Sequence, residues 1–172
     1  MAAATGLPIL ACVMSRAFVR EVDDAPEQLS ERPVSPNPNF VTAAGLRLID
    51  AALEGLRRDL AIAQGAGDKA AIARNSRDLR YWVQRRATAQ PVAPPSPIAG
   101  VAFATRVTID REDGRRQRLA IVGEDEADPA KGAIAYSSPL ARALMGRRPG
   151  EAVDVPGGEV EIVSLEAIDP EG

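Results

Sequence analysis

Leu46, Ile49, Leu53, Leu56, Leu60 and Ala63 recur at intervals of 3, 4, 3, 4 and 3 residues. This is the a/d spacing of a heptad seam, narrower than the apolar stripe of an ordinary amphipathic helix. Thr42, just ahead of the seam, has a side chain suited to an N-cap. Gly65-Ala66-Gly67-Asp68 then interrupts it: the glycines end one helix and Asp68 caps the next. A second helical stretch runs from Lys69 to Ala89, with Ile72, Leu79 and Val83 on its stripe and Ser76 and Arg86 weakening it. Helices joined by so short a turn lie antiparallel. The segment 42–90 is therefore predicted to be a helical hairpin, each arm about 21 to 23 residues and roughly 32 to 35 Å long.

Pro91, Pro94, Pro95 and Pro97 mark 91–97 as a stiff linker. Beyond it the period changes from 3.5 to 2. Val101–Ile109 and Arg116–Val122 alternate as strands across an Asp113-Gly114 turn. Ile134–Tyr136 is a short strand. Ser138-Pro139 opens a helix over Leu140–Gly146, with Ser138 as N-cap and Pro139 at the first helical position. Val153–Val155 and Glu159–Ala167 complete an antiparallel sheet across Pro156-Gly157-Gly158. The class is α+β, with a small antiparallel β domain around one short helix over 98–172. The switch of period across the linker predicts two separate cooperative units.

Composition excludes several chemistries. The 172 residues contain no histidine, so imidazole general bases, Ser-His triads and imidazole metal sites are impossible. A single cysteine, Cys12, supports neither an internal disulfide nor a thiolate zinc cluster. Any metal would rest on carboxylates and water, as magnesium does. The formal charge of -3 hides an asymmetry. Residues 1–41 carry 3 basic and 5 acidic side chains, 42–90 carry 9 and 5, and 91–172 carry 9 and 14. A basic middle beside an acidic C-terminal part suggests a partner with patches of both signs, not duplex DNA gripped by a uniformly basic surface.

Leu7–Val13 is too short an apolar run to span a bilayer, and no Lys or Arg precedes it as in a secretory leader. The expectation is a cytoplasmic chain with no membrane partner. Met14 is an alternative start, which would make 1–13 an extension. Asp23, Asp24 and Pro26, then Pro33, Pro36 and Pro38, forbid helix up to Asn39. Residues 1–41 are expected to be a disordered, acidic, proline-rich arm.

Three motifs carry a resemblance. Ile121-Val122-Gly123-Glu124-Asp125-Glu126-Ala127-Asp128, then Ser138-Pro139-Leu140-Ala141-Arg142-Ala143-Leu144, then Pro156-Gly157-Gly158-Glu159 resemble the C-terminal domain of the bacterial GreA/GreB transcript cleavage factors over about 98–168. The hairpin, entered through Thr42-Ala43-Ala44-Gly45-Leu46, is similar in architecture to that family's N-terminal coiled coil. The resemblance implies an FKBP-like fold for the C-terminal domain. It also implies a monomer whose globular domain docks at the rim of the secondary channel of core RNA polymerase while the hairpin enters the channel. On the matching segment, Ser138, Pro139, Leu140 and Arg142 become partner-contact candidates. Ser138 and Pro139 also have a complete structural explanation as a helix start.

In the family, tip carboxylates help hold a second magnesium ion of the polymerase, because in-line phosphodiester hydrolysis uses two metals about 3.5 to 4 Å apart. The family tip reads Asp-Leu-x-Glu-Asn-Ala-Glu-Tyr. Here it is Gly67-Asp68-Lys69-Ala70-Ala71-Ile72-Ala73-Arg74. The first acid survives as Asp68, but Ala71 and Arg74 stand where acids are expected. Asp68 is a catalytic candidate or simply a helix cap. Arg74, Arg77 and Arg80 recur every three residues and are either a solvated face or a contact for nascent RNA or the channel wall. The chain is thus expected to be a non-enzymatic polymerase regulator without strong cleavage stimulation and with no cofactor of its own. The alternative is an authentic cleavage factor using Asp68 and the polymerase's magnesium. A prolyl isomerase would need an aromatic-lined pocket, for which the domain offers only Phe103 and Tyr136.

Overall fold

The computed structural model describes residues 29–169. Cys12, the alternative start at Met14 and the arm over 1–28 lie outside the described residues.

Strand β1 (Phe40–Val41) leads into helix α1 (Ala43–Ala66). Thr42 is the N-cap, its Oγ1 accepting the Gly45 N–H at 3.0 Å. Gly67, at φ 68°, ends α1 in the left-handed conformation that glycine adopts without steric cost. Asp68 caps α2 (Lys69–Thr88). The chain continues through β2 (Gln90–Pro91), β3 (Thr105–Arg111) and β4 (Arg116–Val122). Short 3₁₀ turns over Glu124–Glu126 and Pro129–Lys131 lead to β5 (Ala133–Ala135) and α3 (Pro139–Leu144). The last elements are β6 (Ala152–Val155) and β7 (Gly158–Ala167).

The five-stranded sheet has the order β5-β4-β3-β7-β6. It is mixed, which corrects the expectation of a wholly antiparallel sheet: β5 runs parallel to β4, with Ile121 opposite Ile134. The chain between them turns twice in the 3₁₀ segments, so β5 re-enters the sheet in the direction of β4. Val107, Ile109, Ile121, Val160 and Ile162 point from the sheet onto Ala141 and Leu144 of α3, forming the larger core. The first strand starts later than its alternation suggests. Val101 and Ala104 are buried but irregular, and Ala104 sits at φ 59°.

A smaller core lies at the base of the hairpin, where Val41, Ile49 and Leu53 meet Leu46, Leu79, Trp82 and Ala89. The expected stripe on α2 is corrected by one position. Val83 is 47% exposed, while Trp82 packs inward and Arg85 is buried. Leu79 and Trp82 pack on the small core while Val83 turns to solvent, and α2 has too few apolar side chains for its composition to reveal which of the two neighbours is buried.

Two further corrections concern the flanking segments. The arm, expected to be disordered to Val41, is built into the fold over its last residues: β1 pairs in parallel with β2, Phe40 opposite Gln90 and Val41 opposite Pro91. The linker is tied down at its start by the same ladder, extended by the Val92 N–H donating to Val41 O at 2.9 Å. Entry to and exit from the hairpin are therefore hydrogen-bonded to each other. The arm is ordered here because its apolar residues Phe40 and Val41 have somewhere to go, whereas its prolines only forbid helix.

Candidate functional site

At the hairpin tip the Asp68 carboxylate accepts the Ala71 N–H at 2.9 Å in an exposed position. One of its oxygens is thus engaged by the first turn of α2. Ala71 is half-buried and Arg74 is exposed. Among the described residues, no group of three acidic side chains is placed to hold a metal ion. A single carboxylate with one oxygen already accepting a backbone proton does not make a magnesium site by itself, since such ions take six oxygen ligands.

Of Arg74, Arg77 and Arg80 along α2, Arg77 pairs with its neighbour Asp78 at 2.9 Å. Arg80 takes Glu31 of the arm, with Nη2 at 2.5 Å and Nε at 3.0 Å. These hydrogen bonds hold the Glu31 carboxyl below its usual range. Arg74 is exposed nearer the tip.

The four residues singled out on α3 divide by role. Ser138 Oγ accepts the Ala141 N–H at 3.2 Å, and Leu140 packs partly against the larger core. Pro139 and Arg142 are exposed, as is Met145 just past the helix. The outward face of α3 is thus Pro139, Arg142 and Met145, the last of which sequence reasoning did not select.

What the sequence reading missed is a polar clasp between the hairpin and the C-terminal domain. The run Glu124-Asp125-Glu126 faces inward. Arg85 Nε lies 2.5 Å from Asp125 Oδ2, and the Tyr81 hydroxyl donates to Asp125 Oδ1 at 2.6 Å. Glu126 accepts the N–H groups of Thr42 at 3.2 Å and Gly123 at 3.0 Å, and the Thr42 hydroxyl as well. Glu124 accepts the Ser137 hydroxyl at 2.6 Å and an Asn37 amide proton at 2.8 Å. Burial works to raise the Glu124 carboxyl, but Ser137, Asn37, Ser35 and the Arg85 charge outweigh it and leave it below its ordinary value. Burial, and then the bond to Asp125, push Tyr81 up to about 12.

Glycines make this closeness possible. A Cβ on Gly45 would lie 2.2 Å from Glu126 Cδ, and one on Gly123 would lie 2.6 Å from Phe40 O. The Phe40 ring stands 5.4 Å from Tyr136 and 5.9 Å from Phe103, covering the only two aromatic side chains of the C-terminal domain. The Tyr136 hydroxyl donates to Pro38 O at 2.6 Å. The charge asymmetry was the available signal for the clasp. Part of the basic excess of 42–90 is answered within the chain by the acidic C-terminal part, through Arg85.

Residues 96–167 match the protein family described as "Transcription elongation factor, GreA/GreB, C-term". The C-terminal domain is a GreA/GreB domain. GreB of Neisseria meningitidis serogroup B is 41% identical over 98 residues, which are 54% of this chain and 60% of that protein. GreA of Nitratidesulfovibrio vulgaris is 42% identical over 77 residues, 42% of this chain and 47% of that protein. The chain thus spans about half the length of the curated GreA/GreB relatives it matches. Among solved structures, the GreA factor homolog Gfh1 of Thermus thermophilus aligns over 76% of this chain and 100% of its own, at 19% identity and a TM-score of 0.37. The clasp residues Glu124, Asp125 and Glu126 and the α3 residues Ser138–Arg142 all lie inside the GreA/GreB domain. Their partners Thr42, Gly45, Tyr81 and Arg85 lie outside it.

Proposed function

We propose that this protein is an RNA polymerase-binding elongation regulator of the Gre type. In this reading the GreA/GreB domain docks at the rim of the secondary channel through the α3 face, and the hairpin enters the channel without strongly stimulating transcript cleavage. The hairpin tip carries the argument: Asp68 caps α2, and Ala71 and Arg74 occupy the positions where the family has acids. With 24 residues, α1 is about 36 Å long, a rod rather than a loop. The cytoplasm, where polymerase works, is the compartment that follows from the reading. Among the described residues no helix is long and apolar enough to cross a membrane.

The chemistry needs a second metal held by delivered carboxylates. One engaged carboxylate favours occupancy of the channel over activation of water, so no hydrolytic step is assigned to this chain. The test uses backtracked elongation complexes with the native protein, Asp68→Asn and Ala71→Glu. Asparagine keeps the N-cap and removes the charge. Retention of core polymerase by the native chain, without large acceleration of cleavage, is expected. Strong cleavage by the native protein that Asp68→Asn abolishes would replace this reading with that of an authentic cleavage factor. Loss of polymerase retention on charge reversal by Arg142→Glu, with the fold intact, is the expected signature of docking through α3.

A further inference from the structure

Arg32 of the arm lies in a cage on α2. Its guanidinium stands 3.9 Å from the centroid of the Tyr81 ring and 5.8 Å from that of Trp82, with Nη1 3.9 Å from Asp78 Oδ1. Two aromatic rings and a carboxylate are what a planar cation binds. On the preceding residue, the Glu31 carboxylate accepts Nε and Nη2 of Arg80. The helix thus holds an acidic and an arginine side chain that are adjacent in one segment, and Pro33, which follows, disfavours helical backbone at Arg32.

The walls of the cage do not depend on its occupant. The Tyr81 hydroxyl is fixed by Asp125 in the clasp at 2.6 Å, and its ring meets Trp82 edge-on with centroids 5.3 Å apart. Trp82 packs on the small core at the base of the hairpin. Asp78 is oriented by Arg77, whose Nη2 is 2.9 Å from Oδ1. Each wall is therefore placed by groups other than Arg32, which is the preorganisation a binding site needs. The occupant is held lightly by comparison. The side chains of Arg32 and Glu31 are 37% and 63% exposed, and ion pairs and cation–π contacts at such exposure are weak. None of residues 33–36 is buried, so Glu31 and Arg32 can leave α2 while Asn37 keeps Glu124 and Asn39 keeps Arg85 O.

We infer that Asp78, Tyr81 and Trp82 form a guanidinium-binding site on the hairpin, with Arg80 beside it for a carboxylate, and that a partner protein presenting an acidic residue followed by arginine in an extended segment displaces the arm from it. Glu31-Arg32 is the resident pair and shows the sequence that fits. The ligand is cationic at the cage, the opposite of what the exposed arginines of α2 attract. The site also stands apart from polymerase docking, which is assigned to α3. A tethered occupant has an effective concentration on the order of millimolar. The native chain therefore keeps the cage closed to dilute peptide, and a partner gains it when a second contact holds that partner nearby.

Trp82 is the only tryptophan of the chain, so its emission reports the cage directly. The test uses the full chain with no polymerase present. The variant Glu31→Gln with Arg32→Ala opens both contacts and leaves the net charge unchanged. It is titrated with the acetylated, amidated octapeptide Leu-Ser-Glu-Arg-Pro-Val-Ser-Pro, the sequence of residues 29–36. A saturable change in Trp82 emission is expected, with an affinity about tenfold above that of the native chain, whose cage is filled. Citrulline in place of the peptide's arginine removes the charge and keeps the shape, and should weaken binding about tenfold. Lysine in its place should weaken binding about threefold, since an ammonium does not stack. On the protein, Asp78→Asn and Tyr81→Leu should each weaken binding about threefold to fivefold. Circular dichroism and the urea midpoint report whether each variant keeps its fold, and if Tyr81→Leu loosens the clasp, Asp78→Asn decides alone. Absence of a saturable response in the opened variant overturns the inference, as does a response that survives Asp78→Asn undiminished. Equal binding of the citrulline or the lysine peptide also overturns it, because the site then does not select a guanidinium.

Discussion

Arg85 and Asp125, 40 residues apart in sequence, meet at 2.5 Å with side chains only 2% and 8% exposed. Two charges this well shielded are tolerated because each has further partners. Asp125 also accepts the Tyr81 hydroxyl, and Glu124 lies 3.9 Å from the same guanidinium. The pair joins the base of the hairpin to the GreA/GreB domain.

Removing one member should therefore be costly. Asp125→Ala leaves a buried guanidinium without its counter-ion and is expected to destabilise the fold by about 3–5 kcal/mol. A double replacement, Arg85→Met with Asp125→Leu, should recover most of that, because it removes the stranded charge as well. Urea denaturation with an unchanged m-value reads the difference. A single-variant loss below about 1 kcal/mol would place this pair with ordinary surface ion pairs.

Gly45→Ala tests steric fit with an inverted sign. In an open first turn of a helix alanine would stabilise by up to about 1 kcal/mol. Here its Cβ would meet Glu126 Cδ at 2.2 Å and displace the carboxylate from Thr42 and Gly123. A loss of about 1–3 kcal/mol is expected. In the background of Glu126→Ala the same substitution should become neutral or favourable, since nothing then occupies the space.

Alkaline titration reads the hydroxyl side of the clasp. Tyr81 is raised from 10.0 to about 12, chiefly by burial and then by its bond to Asp125, and Tyr136 is raised too, chiefly by burial and then by Glu124. A folded-state value above the unfolded one means that the Tyr81 contribution is complete below pH 10 and is lost as the pH rises through 12. Tyrosinate absorbance of the Tyr136→Phe protein should show Tyr81 still protonated at pH 10 in buffer and half ionised there in urea. Equal titration in the two solvents would contradict the buried hydrogen bond.

At the acid end the sign reverses. The Glu124 carboxyl is lowered from 4.5 in the folded protein, so its contribution is present above that value and disappears as the pH falls through the folded-state value. The urea midpoint should fall in this window, and Glu124→Gln should flatten that part of the profile while lowering stability at neutral pH. An acid limb identical in the two proteins would assign the transition to other carboxylates.

Local chemistry was legible in the residues alone. Thr42, Asp68 and Ser138 are N-caps because each acts on an N–H three residues away, and Gly67 stops α1 through its own backbone freedom. The turn at Gly114 and the change from helical to strand period around the linker are readable for the same reason: the interacting groups are close in sequence. The motifs from Ile121 to Glu159 carried the family. The partners of distant groups needed the tertiary structure. Periodicity says that a face of α2 is buried, but whether Trp82 or Val83 lies on it depends on what stands opposite. The direction of β5 depends on two 3₁₀ turns that leave no alternating pattern. Glu126 reaches Thr42 across 84 residues, and Arg80 finds Glu31 rather than solvent. Opposite charges are abundant in this chain, and attraction between them is nearly the same for every pairing in water. Only the packing of helix, arm and domain brings particular pairs within hydrogen-bonding distance and shields the central ones from solvent, where a charge without its partner is costly.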